Sequence, residues 1–116
     1  MPISNQFLAG DVVVVPFPYS DRLAEKRRPA LVISGPRLRP FGQLWVAMIT
    51  TAQNPSWSCD VPIDDIKRAG LPARSVVRPA KIACIEPARV LRRAGKLERA
   101  VARTVAKRLR DFLPAL

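Results

Sequence analysis

The chain has 116 residues, 48% of them hydrophobic, and its 20 Lys and Arg residues against 9 Asp and Glu give a net charge of +11. This length predicts one domain with a packed core, residues 1–116. The chain contains no histidine, which excludes a Ser-His-Asp triad and a histidine-ligated metal.

The apolar run 12–18 is too short to cross a bilayer, and no basic leader precedes an apolar stretch at the start of the sequence. We therefore expect a cytoplasmic protein. Cys59 and Cys84 lie far apart and lack a metal-like spacing, which predicts two reduced, mostly buried thiols.

Short apolar segments separated by Gly and Pro predict six strands. In chain order they are DVVVVPF (11–17), ALVIS (30–34), LWVAMIT (44–50), CDVPI (59–63), SVVRPAKIACI (75–85) and ARVLRRA (88–94). CDVPI is expected at a sheet edge, because Pro62 cannot donate a ladder hydrogen bond. DDIKRAG (64–70) predicts one or two helical turns that end at Gly70. This density of strands favours a mostly β (α+β) fold, a small barrel or sandwich over roughly 8–94.

The C-terminal segment, roughly 96–113, has the pattern of an amphipathic helix. Its apolar face carries Leu97, Val101, Val105, Leu109 and Phe112, which predicts packing against the barrel. The opposite face carries a basic stripe of Arg99, Arg103, Lys107 and Arg110. A solvated helix surface is the favoured interpretation of the stripe, and docking of an acidic segment or RNA is the alternative.

The positive charge is unevenly distributed along the chain. Residues 1–65 carry six basic and six acidic side chains, whereas residues 66–116 carry fourteen basic and three acidic ones. Such an asymmetry indicates a face that meets a polyanion or an acidic protein partner. A basic surface without a specific partner is the alternative.

The catalytic groups available are few. No phosphate-binding loop of the G-x-x-x-x-G-K type occurs. Asp60, Asp64 and Asp65 form the only local carboxylate cluster, and a turn followed by a helix start explains them without a metal. An enzyme with this composition has to use arginine and hydroxyl groups, which suits phosphoryl transfer through an anionic transition state.

Five successive blocks resemble the MazF/PemK family of type II toxins. They are GDVVVVPFPYSD, KRRPALVIS, VAMITTAQN, LPARSVVRPAKIACIEPARV and GKLERAVARTVAKRL, in the family's order from Gly10 to about Leu109. The resemblance implies a small SH3-like barrel of antiparallel strands with a short internal helix and a C-terminal amphipathic helix. It also implies a homodimer and a sequence-specific ribonuclease for single-stranded RNA. Such proteins need no metal or cofactor and are silenced by a small acidic antitoxin.

The resemblance places the family's catalytic arginine and threonine at Arg28 and Thr50. Arg27 and Thr51 adjoin them, and because neighbours in a strand point to opposite faces, one residue of each pair is expected in the site. The group that acts as general base stays open, because the first loop offers only Tyr19, Ser20, Asp21 and Glu25. The residues expected to contact RNA are Arg27, Thr51, Gln53, Asn54, Arg74, Ser75, Arg78 and Lys81. Trp57 suits base stacking, and a dimer or core position equally.

Metal-free RNA cleavage of this kind uses the ribose 2′-hydroxyl as nucleophile and leaves a 2′,3′-cyclic phosphate and a 5′-hydroxyl. Arg28 suits the phosphate because its guanidinium is a charged planar fork, and Thr50 adds one hydrogen bond. Two other functions stay open. One is a gyrase poison of the CcdB type, which shares this barrel, and the other is a non-catalytic SH3-like module that binds nucleic acid.

Overall fold

The strands are built from the apolar segments that the sequence pattern predicted. The structure, a computed structural model, describes residues 6–17 and 26–115, so the first-loop residues Tyr19, Ser20, Asp21 and Glu25 lie outside it. The strands are β1 (Asp11–Phe17), β2 (Lys26–Val32), β3 (Leu44–Thr51), β4 (Val61–Pro62), β5 (Ser75–Ile85) and β6 (Arg92–Lys96). One α-helix follows, α1 (Arg99–Asp111), and short 3₁₀ helices cover Pro36–Phe41 and Pro87–Arg89.

The six strands form one antiparallel sheet in the order β4-β5-β3-β2-β1-β6, which curls into a half-barrel. The two-residue strand β4 lies at one edge, as Pro62 predicted. A mostly β fold with a C-terminal amphipathic helix is therefore confirmed.

Each face of the sheet carries its own apolar cluster. On the helix face, α1 packs over a cluster that includes Val12, Leu31, Ala47, Ile49 and Val77. On the opposite face, the cluster consists of Phe7, Val13, Val15, Phe17, Ala30, Val32, Leu44, Val46, Met48 and Ile85. Alternate residues of β2 and β3 belong to different clusters, as the two-residue period of a strand requires.

The helix α1 buries only part of its apolar stripe. Val101 and Val105 are fully packed, whereas Phe112 is 50% exposed at the C-terminal end. The basic stripe of Arg99, Arg103, Lys107 and Arg110 is exposed, as a solvated surface requires. In the described part of the chain, no helix is long and apolar enough to pass through a membrane.

Several local expectations differ from the structure, and β6 covers Arg92–Lys96 in place of 88–94, because Pro87–Arg89 forms a 3₁₀ helix. Strand β2 begins at Lys26 and not at Ala30, so the arginines lie inside the strand, where pairing with β1 holds them. Segment 64–70 forms only a short turn, closed by a hydrogen bond from Ala69 N to Asp65 O (3.2 Å). Cys84 is exposed, since it lies on the outward side of the sheet together with Trp45, its partner in the β3–β5 register. Both cysteines are free thiols.

Candidate active site

Arg28 and Thr50 lie on two neighbouring strands, β2 and β3, near the same end of the sheet. The pairs between β2 and β3 are Ala30–Met48, Leu31–Ala47 and Val32–Val46. Continuing this register by two residues sets Arg28 across from Thr50, just beyond the last paired residues. Arg28 itself stays paired with Val15 of β1, which fixes its backbone. The two candidate catalytic residues are thus held on adjacent, rigid elements.

The same register sorts the four candidates into two pairs. Arg28 and Thr50 share the face of Ala30 and Met48, since residues two apart in a strand point the same way. Arg27 and Thr51 share the helix face by the same rule. Arg28 is half-buried and Thr50 is buried, whereas Arg27 and Thr51 are exposed.

The hydroxyl of Thr50 has a specific partner. Asn54 Nδ2 donates a hydrogen bond to Thr50 Oγ1 at 2.6 Å. A threonine hydroxyl carries one hydrogen, so accepting from Asn54 leaves that hydrogen available for another acceptor. A phosphate oxygen is such an acceptor.

A shallow depression adjoins this strand end. It has a volume of about 370 Å³ and is lined by Thr51, Ala52, Gln53, Ala73 and Arg74. A backbone hydrogen bond from Ala52 N to Arg74 O (2.9 Å) joins its two walls. Three of the predicted RNA contacts, Thr51, Gln53 and Arg74, are therefore brought together here and are exposed to solvent.

Two other predicted contacts do not line this depression, although Ser75 pairs with Thr51 beside it. Ser75 is buried, and its hydroxyl donates to the carbonyl oxygen of Ala73 at 2.9 Å. Lys81 is six residues further along β5, a distance of roughly 20 Å for an extended strand. The structure does not bring Lys81 to the end of the sheet that carries Thr50.

Arg78 is buried, and its guanidinium is already engaged by groups of the protein. It is 7% exposed and forms a two-point ion pair with Asp60, with Nε–Oδ1 and Nη2–Oδ2 distances of 2.9 Å each. Its guanidinium also lies 4.4 Å from the centre of the Trp57 ring. Trp57, considered above for base stacking, is 45% exposed and already has this cation against one face.

Sequence reasoning missed the partnership of Asp60, which it had grouped with Asp64 and Asp65. The register between β4 and β5 pairs Val61 with Val77, which places Asp60 across from Arg78. The contact between Asp60 and Arg78 follows from the strand pairing, and it could not be read from the spacing of the two residues in the sequence. Among the described residues, no three His, Cys, Asp or Glu side chains gather in a way that could hold a metal ion.

Several solved structures superpose on this chain over most of its length. The chain superposes on the Mycobacterium tuberculosis toxin MazF-mt6 with a TM-score of 0.69 and 24% identity, covering 87% of this chain and 93% of that one. It superposes on MazF from Deinococcus radiodurans with a TM-score of 0.73 and 21% identity, covering 91% and 94%. A mycobacterial endoribonuclease in complex with its cognate antitoxin gives a TM-score of 0.72 and 16% identity, covering 96% and 100%. At these identities the similarity defines the fold.

A sequence comparison with protein families identifies the family itself. Residues 8–113 match the PemK-like, MazF-like toxin of type II toxin–antitoxin systems, and the chain belongs to this family. No curated protein sequence matches it significantly. The resemblance carried by the five sequence blocks is therefore confirmed.

Proposed function

We propose that this toxin is an endoribonuclease that cleaves single-stranded RNA at specific sequences without a metal. The observation that carries the proposal is the position of Arg28 and Thr50. Continuing the β2–β3 register puts both residues on one face of the sheet, where a charged fork and a hydroxyl are proposed to bind one phosphodiester. The family assignment supports the same activity.

In the proposed reaction, the ribose 2′-hydroxyl gives up its proton to a general base, its oxygen attacks the adjacent phosphorus, and the bond from phosphorus to the 5′-oxygen breaks. The products are a 2′,3′-cyclic phosphate and a 5′-hydroxyl, whose oxygen takes up a proton. Negative charge builds on the non-bridging oxygens in the transition state. We propose that the planar fork of the Arg28 guanidinium donates hydrogen bonds to these oxygens and that Thr50 donates one more.

The depression beside Thr51 is the proposed base-recognition site. Its volume of about 370 Å³ suits one flipped-out base, and Gln53 and Arg74 offer donors and an acceptor to the base edge. Single-stranded RNA exposes such edges, whereas a duplex hides them. Arg27 is proposed to bind the flanking phosphate backbone from the exposed side of β2.

The test of the activity is cleavage of single-stranded RNA by the purified chain. We expect fragments with 2′,3′-cyclic phosphate and 5′-hydroxyl ends, and an unchanged rate in excess EDTA. Loss of activity in EDTA that Mg²⁺ restores would contradict the metal-free part of the proposal. Absence of cleavage combined with gyrase inhibition would instead favour the CcdB-type function, and RNA binding without either would favour a non-catalytic module.

We propose a small acidic antitoxin as protein partner. The chain carries +11 overall, with the excess in residues 66–116, so an acidic segment is attracted to the surface that RNA would use. A structurally similar mycobacterial endoribonuclease is described in complex with its cognate antitoxin, which supports this partner.

We propose that the chain forms a homodimer through an apolar groove next to the end of α1. The groove, of about 470 Å³, is lined by Ile33, Trp45, Pro79, Ala80, Ile82, Leu109, Phe112 and Leu113. Four of these, Trp45, Ile82, Phe112 and Leu113, are large apolar side chains at least 47% exposed. None of the eight is charged. Two copies with a net charge of +11 repel each other, so we expect them to associate through an apolar patch without charged residues. An acidic antitoxin, in contrast, would bind the basic side chains of this chain.

Substituting Ile82→Glu is expected to convert the dimer to a monomer, because association would bury an unpaired carboxylate. Analytical ultracentrifugation at micromolar concentration measures the change. Leu91→Glu is the matched control, since Leu91 is 49% exposed and does not line the groove. A wild-type chain that sediments as a monomer, or an Ile82→Glu variant that stays dimeric, would contradict this interface.

A further inference from the structure

The loop between β3 and β4, residues 52–60, has little apolar anchorage. Residues 51–58 are all exposed, so no side chain of this stretch packs into either apolar cluster. A loop without buried apolar contacts depends on its hydrogen bonds to stay in one conformation. In the 52–60 loop, three of those bonds come from one residue of the sheet, Arg78.

Arg78 contacts the loop at three of its residues. Nε and Nη2 bind the two carboxylate oxygens of Asp60, and Nη2 also donates to the carbonyl oxygen of Pro55 at 2.9 Å. The guanidinium covers one face of Trp57. We call this arrangement the Arg78 clamp; it consists of Arg78, Asp60, Pro55 and Trp57. Only a planar fork can hold a carboxylate at two points and still stack on an indole ring.

The held loop closes on itself around the same carboxylate. Asp60 Oδ2 accepts the backbone N–H of Trp57 at 2.9 Å, and the Asp60 N–H donates to Trp57 O at 3.0 Å. A longer contact of 3.5 Å runs from Arg108 of α1 to the carbonyl oxygen of Ser58. The loop is therefore fixed mainly from its C-terminal half, where Asp60 leads into β4.

The N-terminal half of the loop places Asn54 in contact with Thr50. The Asn54 N–H donates to Thr51 O at 3.1 Å, and its side-chain amide donates to Thr50 Oγ1. Because that hydroxyl accepts from Asn54, its single hydrogen points away from the Asn54 amide. Pro55, the next residue along the chain, is the one whose carbonyl Arg78 binds.

We propose that Arg78 is a positioning residue, which acts on Thr50 through the 52–60 loop and does not contact RNA. The clamp holds Pro55 and hence Asn54 in place, and Asn54 orients the Thr50 hydroxyl hydrogen toward the scissile phosphate. This inference rests on the proposed ribonuclease activity for its functional consequence. It assigns Arg78 a role different from the direct RNA contact that the sequence predicted.

Burial and charge keep the ion pair between Arg78 and Asp60 formed at neutral pH. The side chains of Arg78 and Asp60 are 8% and 6% exposed, so removing either partner would leave a buried unpaired charge, which costs a large free energy. Burial raises the pKa of the Asp60 carboxyl, but hydrogen bonds from Arg78 and from the Trp57 N–H lower it more, and the Arg78 charge adds to that effect. Because the folded-state pKa of Asp60 lies below its unfolded-state value, the stabilisation from the pair is complete above the unfolded-state pKa and is lost as the pH falls through the folded-state pKa.

The test is Arg78→Lys, which keeps the charge but removes the fork. We expect kcat for RNA cleavage to fall roughly tenfold or more, because a misplaced hydrogen-bond donor loses its alignment with the reacting phosphate. KM and the salt dependence of RNA binding should stay at the wild-type values. A direct phosphate contact would instead weaken binding and make its salt dependence shallower.

A second measurement does not depend on activity. In a Trp45→Phe background, Trp57 is the only remaining indole, and its fluorescence reports the 52–60 loop. We expect acrylamide to quench Trp57 more strongly in Arg78→Lys, because the guanidinium no longer covers the ring. If the wild type fails to cleave RNA, the proposed function fails, whereas this quenching still tests the clamp.

Arg93→Lys is the matched control. Arg93 also binds a buried aspartate, with an Nε–Oδ2 distance of 3.0 Å to Asp11, and lies 5.1 Å from the centre of the Phe7 ring. It belongs to β6, which three strands separate from β5. Arg93→Lys should lower stability but leave kcat and Trp57 quenching unchanged.

Should Arg78→Lys fail to fold, Asn54→Ala tests the same chain of contacts without touching the buried ion pair. It should reproduce the fall in kcat at unchanged KM. The inference is overturned if Arg78→Lys changes RNA affinity and not kcat, if it changes neither kcat nor Trp57 quenching, or if Asn54→Ala cleaves at the wild-type rate.

Discussion

Replacing Arg28 with alanine is expected to slow RNA cleavage by roughly 100- to 1,000-fold, the usual cost of losing one preorganised donor to transition-state charge. The loss should appear in kcat, because the charge that Arg28 stabilises develops only in the transition state. Circular dichroism and the unfolding midpoint should stay close to wild type, since Arg28 is only half-buried at its strand end. Single-turnover cleavage of a labelled RNA measures the effect.

Arg27→Ala is the comparison that separates the two arginines. Arg27 is exposed on the other face of β2, so its loss should raise KM through a lost phosphate contact and leave kcat nearly unchanged. If Arg27→Ala abolished cleavage and Arg28→Ala did not, the site would belong to the Arg27–Thr51 pair on the helix face.

The partner threonine makes a smaller contribution. Thr50→Val keeps the buried shape and removes the hydroxyl, and a hydrogen bond to a charged group contributes about 1.5–3 kcal/mol, or roughly 10- to 100-fold in rate. Thr50→Ser restores the hydroxyl and should recover most of the activity. Equal rates for the Val and Ser variants would remove Thr50 from the mechanism.

Gly70→Ala is expected to destabilise the fold by about 3 kcal/mol or more and to lower Tm by roughly 10 °C or more. Gly70 ends the 64–70 turn with a φ of +74°, a left-handed conformation that costs an L residue about 1–2 kcal/mol. A Cβ at this position would also overlap the carbonyl oxygen of Ala94, a backbone atom that cannot turn aside. Thermal and urea unfolding measure the loss.

Two other glycines separate the causes of this effect. Gly42→Ala carries the left-handed penalty alone, because Gly42 has a φ of +66° and open space around it. Gly35→Ala should be nearly neutral, since Gly35 has an extended backbone with a φ of −93° and no atom near its would-be Cβ. A Gly70→Ala variant no less stable than Gly42→Ala would show that the contact with Ala94 relaxes.

The order and type of the elements could be predicted from the sequence because the apolar periodicity is strong. β1, β3 and β5 begin and end within one residue of their predicted bounds. The start of β2 could not be predicted, because Lys26 and Arg27 are not apolar and join the strand only through pairing with Phe17 and Pro16. Likewise, the 64–70 turn contains helix-forming residues, but it is closed by the bond from Leu71 N to Ile66 O, and Gly70 meets the backbone of Ala94 in β6.

The amino-acid sequence by itself determined the family, the mostly β class, the basic C-terminal half and the residue types of the candidate site. Those properties depend on local periodicity, composition and motif order, all of which are present in the amino-acid sequence itself. Only the tertiary structure supplied the β2–β3 register, which, continued past its last pair, sets Arg28 across from Thr50 and Arg27 across from Thr51. It alone turned Arg78 away from solvent and onto Asp60, because which side chains meet across a sheet is set by strand order and register, and neither is encoded in the spacing of two residues along the chain.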